Sequence, residues 1–447
     1  MHARSLFLSL SLFAIPAAAQ QQPADTAVPR TLSPAPERIT LADALTRAIQ
    51  VQPATVQARG NIRNADAQQR AAYGAFLPSL NASSSASSSF AEGRDRVDPV
   101  TSQLVSGDRT NKSMSVGLNG SIDLWTGLRR GADIAAANAT DRSAEAGLVN
   151  ARFQVIQQTT SAYLDALANA QTVEVRATTV RRAQEQLKVS VAKLHAGSAT
   201  RSDSLRSEVN LGNARVALIN AEIAQATAEA SLGRLIGAAG RVAAIDDSAY
   251  TTIAPVDTSS VRSEALSRSP QVVSAEAQAD VARAQVRSAY AQYSPTLSLS
   301  GNYNFSGSSQ SLSQNPLYNQ RSLSLGLTWP LFNRFQREQT VANRHSSADV
   351  AEANAADAKR AVEAGVTQRL AELAAARTRI GITRSSVQAA TEDLRVVGER
   401  YRLGAATIVD LLTSQEALTQ AEVDAVNARF DYLRAKAQIE ALIGRTL

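Results

Sequence analysis

The chain contains no cysteine, which excludes a disulfide framework, a thiolate nucleophile and every thiolate-ligated metal site. Its three histidines, His2, His195 and His345, are too few and too scattered for an imidazole metal centre or a catalytic triad. No stretch reaches 18 consecutive apolar residues, so no transmembrane helix is expected. The GxSxG, HExxH, P-loop and GxGxxG fingerprints are all missing. Together these gaps argue against an enzyme and against any cofactor or metal. The net charge of +6 is dilute, with both signs interspersed, and is weak evidence for a nucleic-acid partner.

What is present begins at the N-terminus. Arg4 precedes an apolar run from Leu6 to Ile15, and Ala17-Ala18-Ala19 follows. That order is a secretory signal peptide over residues 1–19. No cysteine follows the cleavage site, so a lipid anchor is not expected. Residues 20–37, with Pro23, Pro29, Pro34 and Pro36, read as a Pro-rich linker.

Proline placement exposes the organisation. All 13 prolines lie outside residues 126–254 and 331–447, and proline in a helix interior costs about 3 kcal/mol. Those two tracts are helix territory, and they repeat each other. Gly197, Asp203 and Leu205 recur as Gly404, Asp410 and Leu412, and Ile236-Gly237 recurs as Ile443-Gly444, always 207 residues on. Pro53 and Pro78 recur as Pro270 and Pro295, 217 residues on. The chain is therefore a duplication, with a first repeat over 38–237, a linker over 238–259 and a second repeat over 260–447.

Each repeat reads helix, two strands, long helix, turn, helix. The first helix is expected over about 40–75 and again over about 260–292. The strands fall at about 79–91 and 112–125, then at about 295–307 and 321–332. Met114, Val116, Leu118, Ile122 and Leu124 alternate with Ser, Gly, Asn and Asp, and Leu323, Leu325 and Leu327 continue the pattern in the second copy. Period-two alternation over about ten residues suits a tilted membrane strand. A half-buried strand of a soluble sandwich alternates in the same way. The long helix of the second copy carries Val366, Leu373, Ile380, Val387, Leu394 and Tyr401 at intervals of seven, a supercoiling signal. Four strands cannot close in lipid without leaving two edges unpaired. The chain must assemble, and 12 strands from three copies leave room for a pore where eight from two would not.

At this point the sequence resembles the TolC-like outer-membrane efflux channel family over essentially the whole chain from about residue 38. The resemblance rests on the segment Tyr401 to Leu418, its weaker partner Leu194 to Leu205, and the helix-to-strand junctions Leu77-Pro78 and Ser294-Pro295. It implies a homotrimer with a 12-stranded outer-membrane β-barrel on a long periplasmic α-helical barrel. It implies a passive exit duct served by a periplasmic adaptor and an inner-membrane pump. Asp410 then matches a pore-constricting ring, and Asp203, Ser202 and Tyr401 match a closing network. Gly197, Ser198, Leu403 and Gly404 mark the tip turns that receive the adaptor. Two positions depart from the family pattern. Thr413 stands where a second ring aspartate is found, and Ala406 where an arginine pairs across the closed tip. Turn chemistry alone accounts for Gly197, Gly404 and Thr407, and less readily for the two aspartates six residues past each glycine. The competing readings are a periplasm-spanning coiled-coil protein and a channel dedicated to protein export.

Overall fold

The structure is a computed structural model that describes residues 36–445, apart from residues 94, 98, 101, 106–108, 247–259 and 310–316. The expected signal peptide, nearly all of the Pro-rich linker and most of the inter-repeat linker lie outside the described residues.

Strand β1 (Glu37–Ile39) leads into α1 (Leu41–Val51) and α2 (Pro53–Gly74). Strand β2 (Ser79–Ala91) follows, then the short ribbon strands β3 (Arg96–Val97) and β4 (Leu104–Val105), and β5 (Arg109–Trp125). The long helix α3 (Arg129–His195) and its partner α4 (Arg201–Ile236) complete the repeat, and β6 (Val242–Ala244) follows. The second repeat runs α5 (Val261–Arg268), α6 (Pro270–Tyr290), β7 (Thr296–Ser309), β8 (Tyr318–Thr328), α7 (Gln336–Arg402) and α8 (Ile408–Ile443). Both long helices have 67 residues and both partners 36, each pair 207 residues apart. Each single helix expected at the start of a repeat is in fact two. Proline forces the residue before it into extended backbone, and Gln52 and Ser269 take ψ of 132° and 124° ahead of Pro53 and Pro270.

The four long strands form one antiparallel sheet in the order β2-β5-β7-β8. Its register sorts the side chains cleanly. Leu80, Leu118, Leu299, Leu325 and Leu327 share one face, while serine and asparagine fill the other. On that polar face serine hydroxyls pair across strands, Ser85 with Ser115 at 2.8 Å and Ser300 with Ser324 at 2.7 Å. The apolar face is open, with Leu323 77% and Leu327 70% exposed. Strands β2 and β8 end the sheet with unpaired edges among the described residues. A bulge between Asp123 and Trp125 re-aims Trp125 onto the Leu297 row. No described helix is long and apolar enough to cross a membrane.

The principal core sits partway along the helices. Here β1 pairs in parallel with β6, and α1 and α5 cover Val155, Tyr163, Val362, Val366 and Phe430 of the long elements. The buried Tyr163 hydroxyl accepts the Ile245 amide at 3.2 Å and lies 2.6 Å from the Ile245 carbonyl oxygen, tying this layer to α3. At the end of α4, the Glu229 carboxylate is 3% exposed and accepts Arg241 at 3.0 and 2.8 Å and Gln225 at 2.7 Å. Removing one partner of a buried pair costs about 3–5 kcal/mol, less here because the Arg241 side chain is 44% exposed. Arg241→Ala should therefore destabilise the fold by about 2 kcal/mol, discounted for solvent screening. An unchanged midpoint of helix loss on heating, followed by circular dichroism, would show that solvent satisfies Glu229 unaided.

Candidate gate at the helical tip

Both helix pairs turn sharply at the end remote from the sheet. The chain leaves α3 through Gly197 at φ +70° and α7 through Gly404 at φ +79°, a region glycine enters without steric cost. Ser198 and Gly197 amides return to the Lys193 and Leu194 carbonyls, and Ala405 and Gly404 amides to those of Arg400 and Tyr401. Each following helix starts with a reciprocal capping box. Thr200 and Asp203 cap α4, and Thr407 and Asp410 cap α8.

The Asp410 carboxylate accepts the Thr407 amide at 2.9 Å and the Thr407 hydroxyl at 2.7 Å. It remains exposed. The Thr407 amide, then its hydroxyl, then the Arg400 charge hold its carboxyl below the usual aspartate range. Asp203 accepts the Thr200 amide in the same way, at 2.9 Å. Helix capping thus accounts for the position of both aspartates, which turn chemistry had seemed to leave over. Ser202 lies in the first turn of α4, exposed. Gly197, Ser198, Leu403 and Gly404 are all exposed on the two turns, Leu403 at 77%. Ala406 packs against the small apolar cluster of Tyr401, Ile408 and Leu411. Thr413 is exposed beyond it.

Tyr401 is buried and connects the two repeats. Its hydroxyl lies 3.5 Å from the Ser190 hydroxyl, Ser190 lies 2.8 Å from the Ser207 hydroxyl, and Ser207 donates to the Asp203 carbonyl at 3.1 Å. Gln186 donates to Ser190 at 3.1 Å. The stronger link is Lys193. Its ammonium donates to the Tyr401 carbonyl and sits 4.1 Å from the centre of the Tyr401 ring. Tyr401 therefore reaches Asp203 only through two serines and the main-chain carbonyl, and the Asp203 carboxylate stays within its own turn. Further along the same seam, Arg182 of α3 pairs with Glu422 of α8 at 2.6 Å, and the Thr179 and Thr419 hydroxyls lie 3.2 Å apart. Sequence reading missed Lys193, Ser190, Gln186 and this ion pair.

It also missed a device at the other end of the long helices. Arg130, in the first turn of α3, donates back to the Asp123 carbonyl and lies 4.8 Å from the Phe76 ring centre. Arg337, in the first turn of α7, donates to the Pro330 and Leu331 carbonyls at 2.6 and 3.0 Å and lies 4.6 Å from the Tyr293 ring centre. The two arginines and their carbonyls are 207 residues apart and the two rings 217, the same offsets that reveal the duplication. Those offsets were the available signal.

The sequence pattern of the outer membrane efflux protein family matches residues 44–238 and again 261–445. The pyoverdine export outer membrane protein OpmQ of Pseudomonas putida is 25% identical over 367 residues, covering 79% of this chain and 74% of that protein. The alkaline protease secretion protein AprF of Pseudomonas aeruginosa is 25% identical over 67% of this chain and 64% of that protein. The solved structure of the outer membrane protein VceC from Vibrio cholerae matches with a TM-score of 0.74 at 19% identity, over 91% of this chain and 96% of that one. One family pattern thus falls twice on one duplicated fold, and the chain belongs to the outer membrane efflux protein family of trimeric outer-membrane channels.

Proposed function

We propose that this channel is the passive exit duct of a tripartite export assembly, completed by a periplasmic adaptor and an inner-membrane pump. The observation that carries the reading is the open sheet with one leucine-rich and one serine-lined face, continuous with helix pairs about 100 Å long. Closed by three copies, it gives a lipid-facing wall and a watery lumen. The turns at Gly197-Ser198 and Leu403-Gly404 offer the adaptor its contact. Three copies of Asp410 converge there as a constriction. Tyr401, with Lys193 and the serine chain to Asp203, holds the two helix pairs of each chain together, in place of the arginine absent at Ala406. OpmQ is named for pyoverdine export and AprF for alkaline protease secretion, and both fit a duct without a substrate pocket of its own.

Two measurements test this reading. The purified protein should have a trimer's native mass in detergent, and an intact monomer with full β-structure would refute the assembly. Photo-cross-linkers placed separately at Ser198 and Leu403 should capture one periplasmic protein in cells. Cross-linkers at exposed Ser231 or Asp349, far from the tip, should not. Equal capture from all four sites would refute docking at the turns.

A further inference from the structure

Among the described residues two charged side chains are buried, Glu229 and Arg337. Glu229 has Arg241 against it. Arg337 has no carboxylate within ion-pair reach, and its Nε has no hydrogen-bond partner. A buried charge is ordinarily paired, because leaving water costs more than neutral dipoles return. Arg337 lines a cavity of about 230 Å³ where three chain segments meet: the entry to α3, the turn from α6 into β7 and the entry to α7. No described carboxylate lines this cavity. Arg129 does, with Asp133 only as near as 4.0 Å. Thr126 is 5% exposed, yet its hydroxyl meets no partner among the described residues. Asn333 stands 207 residues on, so each repeat supplies one neutral group to the cavity. Its side-chain oxygen accepts the Arg337 amide at 3.4 Å, which leaves its NH2 free to donate. Ser294 adds a further hydroxyl. Gly127, at φ +58°, lets the α3 entry close on it, since a Cβ there would stand 1.8 Å from the Ser294 Cβ.

We propose that this cavity binds a phosphate group, held by Arg129, Thr126, Ser294 and Asn333, whose negative charge offsets that of buried Arg337. The donors come from three segments and surround their ligand, which suits a tetrahedral oxyanion. A planar carboxylate is matched instead by one arginine fork, and both terminal nitrogens of Arg337 already bond carbonyls. The sheet ends here, with Thr296 of β7 opposite Thr328 of β8. In a membrane-spanning sheet the cavity therefore lies at headgroup depth. The phosphate comes from a phospholipid headgroup or from solution. The lipid source rests on the channel reading, and the anion site itself does not.

The purified full chain in an uncharged detergent is melted, by circular dichroism, in sodium phosphate and in sodium chloride of the same ionic strength and pH. Phosphate should raise the midpoint of helix loss by about 2 °C or more. Phosphatidylglycerol added to the micelles should do the same, where a phosphate-free glycolipid of the same acyl chains does not. A gain from the lipid alone identifies a headgroup as the source, and a gain from free phosphate shows that the anion suffices. Thr126→Val and Arg129→Gln should each raise the half-saturating concentration of the effective ligand about tenfold, as expected for one lost hydrogen bond to a charged group. Equal midpoints in phosphate and chloride, with no difference between the two lipids, would overturn the site. So would a gain that both variants keep in full. A monomeric native mass for the parent protein would overturn the channel reading and leave the phosphate comparison to decide the site.

Discussion

Replacing Asp410 by asparagine should abolish the cation preference of the open channel and weaken block by multivalent cations at least tenfold. The chain carries a net charge of +6, so overall charge does not favour cations. Three Asp410 carboxylates at one level would, because like charges a few ångströms apart draw in counter-ions to offset their repulsion. Arg402 is matched by Glu399 at 2.8 Å and Arg395 by Glu392 at 2.6 Å, while Arg400 is the positive charge that acts on Asp410 itself. Thr413 supplies no second ring to compensate. Asparagine keeps an acceptor for the Thr407 amide, so the cap survives while the charge goes. The pH dependence has a definite sign. The Thr407 amide and hydroxyl hold the Asp410 carboxyl below its ordinary range. Its charge should therefore persist as pH falls through about 4, and the cation preference should disappear only in stronger acid. The stability it contributes follows the same order: present above the unfolded-state value and lost as pH falls through the lower folded-state value. Reversal potentials in a salt gradient, with and without a trivalent cation on the tip side, read both effects. An unchanged permeability ratio in Asp410→Asn would leave this residue only its capping role.

If Tyr401 helps to close the tip, as proposed, its hydroxyl is the lesser of its contacts. At 3.5 Å the Tyr401 hydroxyl makes a weak bond, whereas Lys193 engages both its ring and its carbonyl. Lys193→Met should therefore raise resting leak more than Tyr401→Phe in the same single-channel recordings. Equal leak in the two variants would return the role to the hydroxyl.

How much of this was legible in the sequence depends on the range of each interaction. The turns were visible because Gly197 and Gly404 act on their own backbone. The strands were visible because alternation is local and the polar face is nearly all serine and asparagine. The capping boxes were visible too, as Thr-x-x-Asp before each helix, but the aspartates were read for their charge before their cap. The partners of Tyr401 were not visible, since Lys193 lies 208 positions away and reads as an ordinary surface lysine. The breaks at Pro53 and Pro270 were hidden because proline is welcome in the first turn of a helix and leaves the periodic pattern beyond it intact. The paired arginines at the sheet junction were hidden for a related reason. An arginine in the first turn of a helix looks like a solvated residue until the fold turns it back onto the strand it has just left.

That junction should be the most sensitive structural point in the molecule. Each long helix begins with a non-glycine residue at positive φ, Leu128 at +66° in the first repeat and Phe335 at +61°, preceded by Arg334 at +59°, in the second. Such conformations cost of order 1–3 kcal/mol each and persist only where the surroundings hold them. Arg337 is 7% exposed and supplies the hold, through two carbonyls and the Tyr293 ring. Arg337→Ala leaves both carbonyls without their donor and removes the stacking. At about 1–3 kcal/mol for the half-buried Pro330 carbonyl and about 1 kcal/mol for the lost stacking, with little from Leu331, which is 74% exposed and open to water, the cost should be about 2–4 kcal/mol per chain. Arg130→Ala, which loses one carbonyl contact, should cost less. The double variant should lose trimer before either single variant as temperature rises. Lysine at 337 keeps the charge but not the planar fork, so Arg337→Lys should fall between parent and alanine. Trimer fraction against temperature on a semi-native gel ranks the four proteins. Equal melting of parent and Arg337→Ala would mean that the strained turn is held by the sheet alone.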